Sequence, residues 1–209
     1  MRCSIGDQEK MKILVYLIRH GKTEGNLKKA YIGVTDQPLC LEGRAELERL
    51  AGCFPLPDEV WHSPLCRCAQ TAEILYPGIS ANVCEDLREC DFGRYENKNF
   101  QELSGDADYQ RWLDSNGTLP FPAGEEQSHF RKRCVEAFKT IVAELLEQKK
   151  YSAAIVVHGG TIMSILEALA EEKKAFYDWQ VGNAMGYHLY ISDETWKKRQ
   201  RLTVLEKIT

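Results

Sequence analysis

Short apolar runs alternate with amphipathic segments along most of this chain. Branched apolar residues at 12–18 predict a buried strand, and apolar residues at helical spacing across 125–149 predict a long helix. Strands that alternate with helices indicate a mostly parallel central sheet covered on both faces, which is a three-layer α/β/α fold. The other predicted elements are helices at 42–51, 63–75 and 161–170 and strands at 59–62, 79–84, 151–157, 185–191 and 202–205.

One segment, residues 90–125, breaks this alternation. It is rich in glycine, asparagine, aspartate, proline and aromatic residues, and only short helical pieces around Phe100 and Trp112 are predicted in it. We expect a small cap insertion within a single domain that spans 12–209. Residues 1–11 are expected to form a polar N-terminal tail.

Composition and charge narrow the class of protein. The chain of 209 residues is 44% apolar and 28% charged, which is ordinary for a globular protein that buries a core. A net charge of −4 disfavours nucleic-acid or membrane partners, because both need a basic surface. The N-terminal residues MRCSIGDQEKMK contain no apolar stretch of an export signal, so we expect a cytoplasmic protein whose eight cysteines are reduced thiols, and Met1 and Met11 both stay open as the start.

Reactive side chains follow three of the predicted strands. Arg19 and His20 end the first strand, Arg67 comes shortly after the second, and His158 follows the strand at 151–157. Because the carboxyl ends of parallel strands meet at one edge of a sheet, we expect these two arginines and two histidines to converge. The oligomeric state stays open.

Such a cluster suits a phosphoryl group better than a metal ion. Two guanidinium groups bind phosphate oxygens and repel cations, which disfavours His20 and His158 as zinc ligands. An imidazole can attack phosphorus, and the leaving oxygen then needs a proton from a carboxyl group with a raised pKa. Glu89 is best placed by sequence position, but the residues alone leave four candidates: Glu85, Asp86, Glu89 and Asp91.

Four ordered motifs resemble those of the histidine phosphatase superfamily, which has the phosphoglycerate-mutase-like fold. They are RHGKTEGN at 19–26, SPLCRCAQTA at 63–72, LRECDFGRYE at 87–96 and VVHGG at 156–160. The resemblance covers about residues 12–192. Four blocks in the family's order are far more specific than a lone RHG.

This resemblance implies a role for each matching residue and no metal or organic cofactor. His20 is the nucleophile that becomes phosphohistidine, and Glu89 is the proton donor and then the base that activates water. Arg19, Arg67 and His158 complete the catalytic set. The residues implied to bind the substrate are Arg19, Thr23, Asn26, Arg67, His158 and Gly159.

The expected partner is a small phosphate monoester. Residues 89–96 and 182–191 are most similar to short bacterial phosphatases of the alpha-ribazole phosphatase type, so alpha-ribazole phosphate is one candidate substrate. The short insertion favours hydrolysis over return of the phosphoryl group. A phosphoglycerate-mutase-type transfer and a non-catalytic phospho-ligand binding module are the alternatives. Departures from the family pattern occur at Lys22, Tyr95, Asn97 and Glu126.

Overall fold

A computed structural model describes residues 11–115 and 117–208, and a six-stranded sheet lies at its centre. The strands are β1 (Lys12–Arg19), β2 (Glu59–His62), β3 (Ala81–Val83), β4 (Ser152–Val157), β5 (Gly186–Ser192) and β6 (Thr203–Ile208). Their spatial order is β3-β2-β4-β1-β5-β6. The first four strands in that order are parallel, and β5 and β6 are each antiparallel to the preceding strand.

Helices cover both faces of this sheet, which confirms the predicted three-layer fold. The α-helices of the described residues are α1 (Glu24–Leu27), α2 (Leu41–Leu50), α3 (Cys66–Leu75), α4 (Ala107–Asp114), α5 (Gln127–Glu147), α6 (Gly159–Leu169) and α7 (Asp193–Arg199). Strand β1 shows the two cores: Val15 and Leu17 point into one shared with α5 and α6, while Tyr16 and Ile18 point into one shared with α2 and α3.

Strand register brings three carboxyl ends to the same level. Arg19 at the end of β1 is paired with Val157 of β4, and His62 at the end of β2 is paired with Val156. The residues that follow these strands therefore emerge together at one edge. Their convergence is a consequence of register in the parallel part of the sheet.

The segment at 90–125 packs around a small core of its own. Tyr95, Tyr109, Trp112 and Phe121 are buried there against Phe130 of α5. The helical piece predicted around Phe100 is wrong, because Phe100 lies in a turn and is about half exposed. That this segment acts as a cap stays a prediction.

Two further differences from the predictions have local causes. The helix predicted to begin at residue 63 begins instead at Cys66, with Leu65 as its N-cap, and the Ser63 hydroxyl lies 2.7 Å from Nε2 of His158. Helix α7 was not predicted, since it is only seven residues long and mostly charged. The tail predicted at 1–11 lies, apart from Met11, outside the described residues.

No helix in the described ranges is long and apolar enough to cross a membrane. All seven cysteines of those ranges are free thiols. This agrees with the expectation of reduced cysteines for that part of the chain.

Candidate active site

His20 and His158 lie side by side directly after the carboxyl ends of β1 and β4. Both are buried, and their ring centroids are 5.2 Å apart with the rings edge to face. The backbone N–H of His20 donates to the carbonyl of Val157, which joins the ends of β1 and β4. The structure thus brings together the two histidines that the sequence placed after separate strands.

The imidazole of His20 is held in one tautomer. Its Nδ1 lies 2.7 Å from the carbonyl oxygen of Gly21, and a carbonyl can only accept, so Nδ1 carries the proton. Burial, with the charges of Arg67 and Arg19, holds the pKa of His20 well below its ordinary value. The ring is therefore neutral near pH 7, and Nε2 keeps a lone pair for attack.

The guanidinium groups of Arg19 and Arg67 flank this ring. Arg19 donates through Nη1 to the carbonyl of Val181 at 2.7 Å, while Arg67 donates to the carbonyls of Gly33 and Thr35 at 2.8 and 2.9 Å. In both arginines the Nε atom is buried and has no hydrogen-bond partner. Buried donors are normally paired, so two unpartnered donors of positive charge fit an oxyanion.

Glu89 is a buried carboxyl group at the same site. Its two oxygens accept hydrogen bonds from the N–H groups of Cys90 and Gly160, each at 3.0 Å. Burial raises the pKa of Glu89, although these two bonds and the nearby arginines oppose the shift. A Cβ atom on residue 160 would lie 2.4 Å from the carboxylate, so only glycine permits this approach.

The four carboxyl groups that the sequence left open as candidate acids differ in burial. Glu85 and Asp86 are exposed, and Asp91 accepts a hydrogen bond from the N–H of Gly93. Only Glu89 of these four lines the cavity described below. The candidate acid is therefore identified by burial and not by spacing.

Several supporting residues were missed by sequence reasoning. Ser63 Oγ lies 2.7 Å from Nε2 of His158 and orients that ring. Asn183 donates to the carbonyl of His20 at 3.1 Å and to Oδ1 of Asn26 at 3.2 Å, which ties the loop before β5 to the site. These hydrogen bonds join residues that are far apart in the sequence, so the spacing of residues along the chain does not reveal them.

Glu96 supports Arg67 through a loop. Its carboxylate accepts hydrogen bonds from the N–H groups of Gly33, Val34 and Thr35 and from the hydroxyl of Thr35. Two carbonyls of this same loop hold the guanidinium of Arg67. The family-type motif at 87–96 thus includes a residue that acts on the site indirectly.

A cavity of about 520 Å³ opens onto this cluster. Of the predicted site residues it is lined by Arg19, His20, Asn26, Glu89 and Gly159. Arg67, His158 and Thr23 lie behind its wall, and Thr23 is fully buried as the cap of α1, where it bonds Asn26. Substrate contact by these three stays a prediction.

Within the described ranges, no three histidine, cysteine, aspartate or glutamate side chains are grouped to hold a metal ion.

Arg133 of α5 anchors the segment that carries Glu89. It forms a buried ion pair with Glu125 at 2.7 Å and donates to the carbonyls of Asp86, Arg88 and Glu89. One guanidinium thus binds both a carboxylate of the helix-entry loop and three carbonyls of the segment that carries Glu89. Burial of this kind makes loss of one partner costly, because the other charge stays buried and unpaired.

We therefore expect Arg133→Met to lower the free energy of unfolding by about 3–5 kcal/mol. Urea denaturation measures this. Arg131→Met is the matched control on the same helix. Arg131 pairs with Glu167 in a more exposed setting and stacks on Phe176, and its loss should cost at most about 2 kcal/mol. Equal losses in the two variants would contradict the anchoring role of Arg133.

Comparison with known proteins agrees with this geometry. The sequence model described as histidine phosphatase superfamily (branch 1) matches residues 15–202. A 2,3-bisphosphoglycerate-dependent phosphoglycerate mutase of Rhizobium etli is 30% identical over 165 residues, which cover 73% of this chain and 78% of the relative. A broad-specificity phosphatase of Saccharomyces cerevisiae is 28% identical over 170 residues, covering 77% and 71%.

A solved structure shares the fold. The alpha-ribazole phosphatase of Shigella flexneri superimposes with a TM-score of 0.77, and the match covers 94% of this chain and 96% of that one. At 23% identity this likeness supports the architecture alone.

Proposed function

The chain belongs to the histidine phosphatase superfamily, whose members among its relatives are phosphatases and phosphoglycerate mutases, and on this premise we propose that it is a phosphomonoesterase acting through a phosphohistidine. One observation carries the proposal. A buried neutral imidazole with a free Nε2 lies beside two guanidinium groups whose Nε donors have no partner. A nucleophile among phosphate-binding donors is the arrangement that phosphoryl transfer needs.

In the first step, the phosphoryl oxygens are bound by Arg19, Arg67 and Asn26, with His158 beside them. Nε2 of His20 attacks phosphorus, so the N–P bond forms as the bond to the ester oxygen breaks. Glu89 transfers its proton to that oxygen, and the alcohol leaves. The raised pKa of Glu89 keeps the acid form available for this transfer.

In the second step, the Glu89 carboxylate takes a proton from water as the water oxygen attacks phosphorus. The N–P bond breaks, phosphate is released, and His20 returns to its neutral state. Glu89 ends protonated, so the site is ready for another substrate. Each group thus reverses its first role, as microscopic reversibility requires.

A small phosphorylated metabolite is the proposed substrate, with alpha-ribazole phosphate as one candidate. Because one relative is a phosphoglycerate mutase, transfer of the phosphoryl group back to the substrate is the alternative reaction. A pure binding module needs neither a nucleophile nor an acid, which makes it the weaker hypothesis. The cytoplasmic location stays a prediction.

Phosphate release in the presence of EDTA tests the proposal. We expect a panel that includes alpha-ribazole phosphate and 3-phosphoglycerate to yield free phosphate at an undiminished rate, because guanidinium groups bind the phosphoryl oxygens. A rate lost in EDTA and restored by zinc would contradict metal independence. Conversion of 3-phosphoglycerate to 2-phosphoglycerate without net phosphate would establish the mutase instead.

A further inference from the structure

Beyond its phosphoryl-binding end, the cavity is walled largely by aromatic side chains. They come from the segment at 90–125, from the loop after α1 and from the short helix Phe176–Trp179. These walls stand where the leaving group of a substrate would lie. Prominent among them are Tyr31, Phe92, Phe100, Trp112, Phe121 and Tyr177.

The inner wall is interlocked. Phe92 packs edge to face on Phe121 with centroids 4.9 Å apart, Trp112 lies 5.1 Å from Phe121, and Tyr31 lies 5.4 Å from Phe92. Aromatic pairs at these separations stabilise one another. The wall is therefore preformed, and a ligand need not organise it.

Two aromatic residues of the lining are unusually exposed. Phe100 is 56% and Tyr177 is 51% accessible. Tyr177 reaches the segment at 90–125, because a Cβ atom on Gly117 would lie 2.7 Å from its hydroxyl. Large apolar surface in water is unfavourable, so a ligand that covers these rings gains free energy.

Charge is scarce in this part of the cavity. Among the described lining residues the charged ones are Arg19 and Glu89 at the phosphoryl end and Lys29, which is exposed. Arg131 stands nearby, but its guanidinium stacks 3.9 Å from the Phe176 ring centroid and is paired with Glu167. Beyond the phosphoryl end, a second acidic group on the substrate could pair only with Lys29 among the described lining residues, and an ion pair with an exposed lysine contributes little.

We propose that the preferred substrate is the phosphate ester of a ring-bearing, largely apolar alcohol, and that Phe100 and Tyr177 select it by stacking. This inference rests on the proposed phosphatase activity and adds the class of leaving group. It sets the enzyme apart from one adapted to phosphorylated hydroxy acids. The volume of about 520 Å³ is also in the range of pockets for ligands larger than a three-carbon acid.

The test compares kcat/KM for 2-phenylethyl phosphate, butyl phosphate, glycerol 3-phosphate and 3-phosphoglycerate, which release alcohols rather than reactive phenols. We expect the ring-bearing ester to exceed the others by about tenfold or more, from ring stacking and apolar burial together. Phe100→Ala and Tyr177→Ala should each remove most of that preference. Tyr151→Ala, which removes an exposed aromatic ring outside the cavity lining, is the matched control and should keep it.

Two outcomes separate failure of this inference from failure of the phosphatase proposal. Hydrolysis of the whole panel without ring preference would overturn the inference and leave the phosphatase intact. If no ester is hydrolysed, the phosphatase proposal fails. Calorimetry then still tests the aromatic subsite, by comparing the affinities of the protein for 2-phenylethylphosphonate and butylphosphonate. Tighter binding of the ring-bearing phosphonate, lost in Phe100→Ala, would support the subsite, and equal binding would overturn it.

Discussion

His20→Ala should abolish phosphate release, with kcat lowered by on the order of 10⁴-fold or more, as expected when a covalent nucleophile is removed. His158 is not expected to take its place, because it does not line the cavity and its Nε2 is engaged with the Ser63 hydroxyl at 2.7 Å. Phosphate release by the purified variant measures the loss. Labelling by a ³²P-labelled substrate that is both acid-labile and base-stable should also disappear, since no phosphohistidine can form.

His188→Ala is the matched control for this variant. His188 is a partly buried histidine of β5 that stacks on Tyr16, outside the candidate site. Its loss should leave the rate within about twofold, since its effect is limited to packing. Retained turnover in a folded His20→Ala protein would refute the assignment of the nucleophile.

Glu89→Gln should lower kcat for an alkyl phosphate by about 10²–10⁴-fold, the usual contribution of a general acid or base. The amide fills the same space but cannot donate a proton to an alkoxide. 4-Nitrophenyl phosphate has a leaving group that needs no proton, so we expect its first step to survive. The variant should show a rapid burst of 4-nitrophenol followed by slow turnover, because the base for the second step is missing.

The exposed neighbour provides the control, and Glu85→Gln should behave as the wild type. Loss of the burst along with turnover would show that Glu89 does not act as the acid. Equal slowing of alkyl and nitrophenyl esters in the first step would lead to the same conclusion.

The pH profile of the same variant gives an independent check. Burial raises the pKa of Glu89, so its acid form persists to a higher pH than for an ordinary glutamate, and activity on alkyl phosphates falls as pH rises through that pKa. Burial lowers the pKa of His20, so the acid limb, where His20 becomes protonated, lies below the ordinary range of histidine. Glu89→Gln should lose the alkaline limb and keep the acid limb.

Sequence alone was sufficient for the layered fold and for the convergence of Arg19, His20, Arg67 and His158 at one candidate site. The unbroken apolar run Val15, Tyr16, Leu17 and Ile18 is visible in the sequence and predicts a buried strand. Since successive side chains of a strand point to opposite faces, such a run fits a strand covered on both sides, and the structure places these residues alternately in two cores. Arg19 and His20 stand out because charged and polar groups end a buried strand. The predicted site follows from the rule that parallel strands share one functional edge.

Only the tertiary structure shows which side chains of the candidate site are buried and which hydrogen bonds and pKa shifts they have. Burial against Gly160 distinguishes Glu89 from the exposed Glu85 and Asp86, and no spacing along the chain encodes that contact. Ser63, Asn183 and the aromatic walls of the cavity likewise come together from distant segments. Periodicity reports how a residue faces its nearest neighbours, whereas pKa, tautomer and the shape of a pocket depend on groups that meet only when the chain has folded.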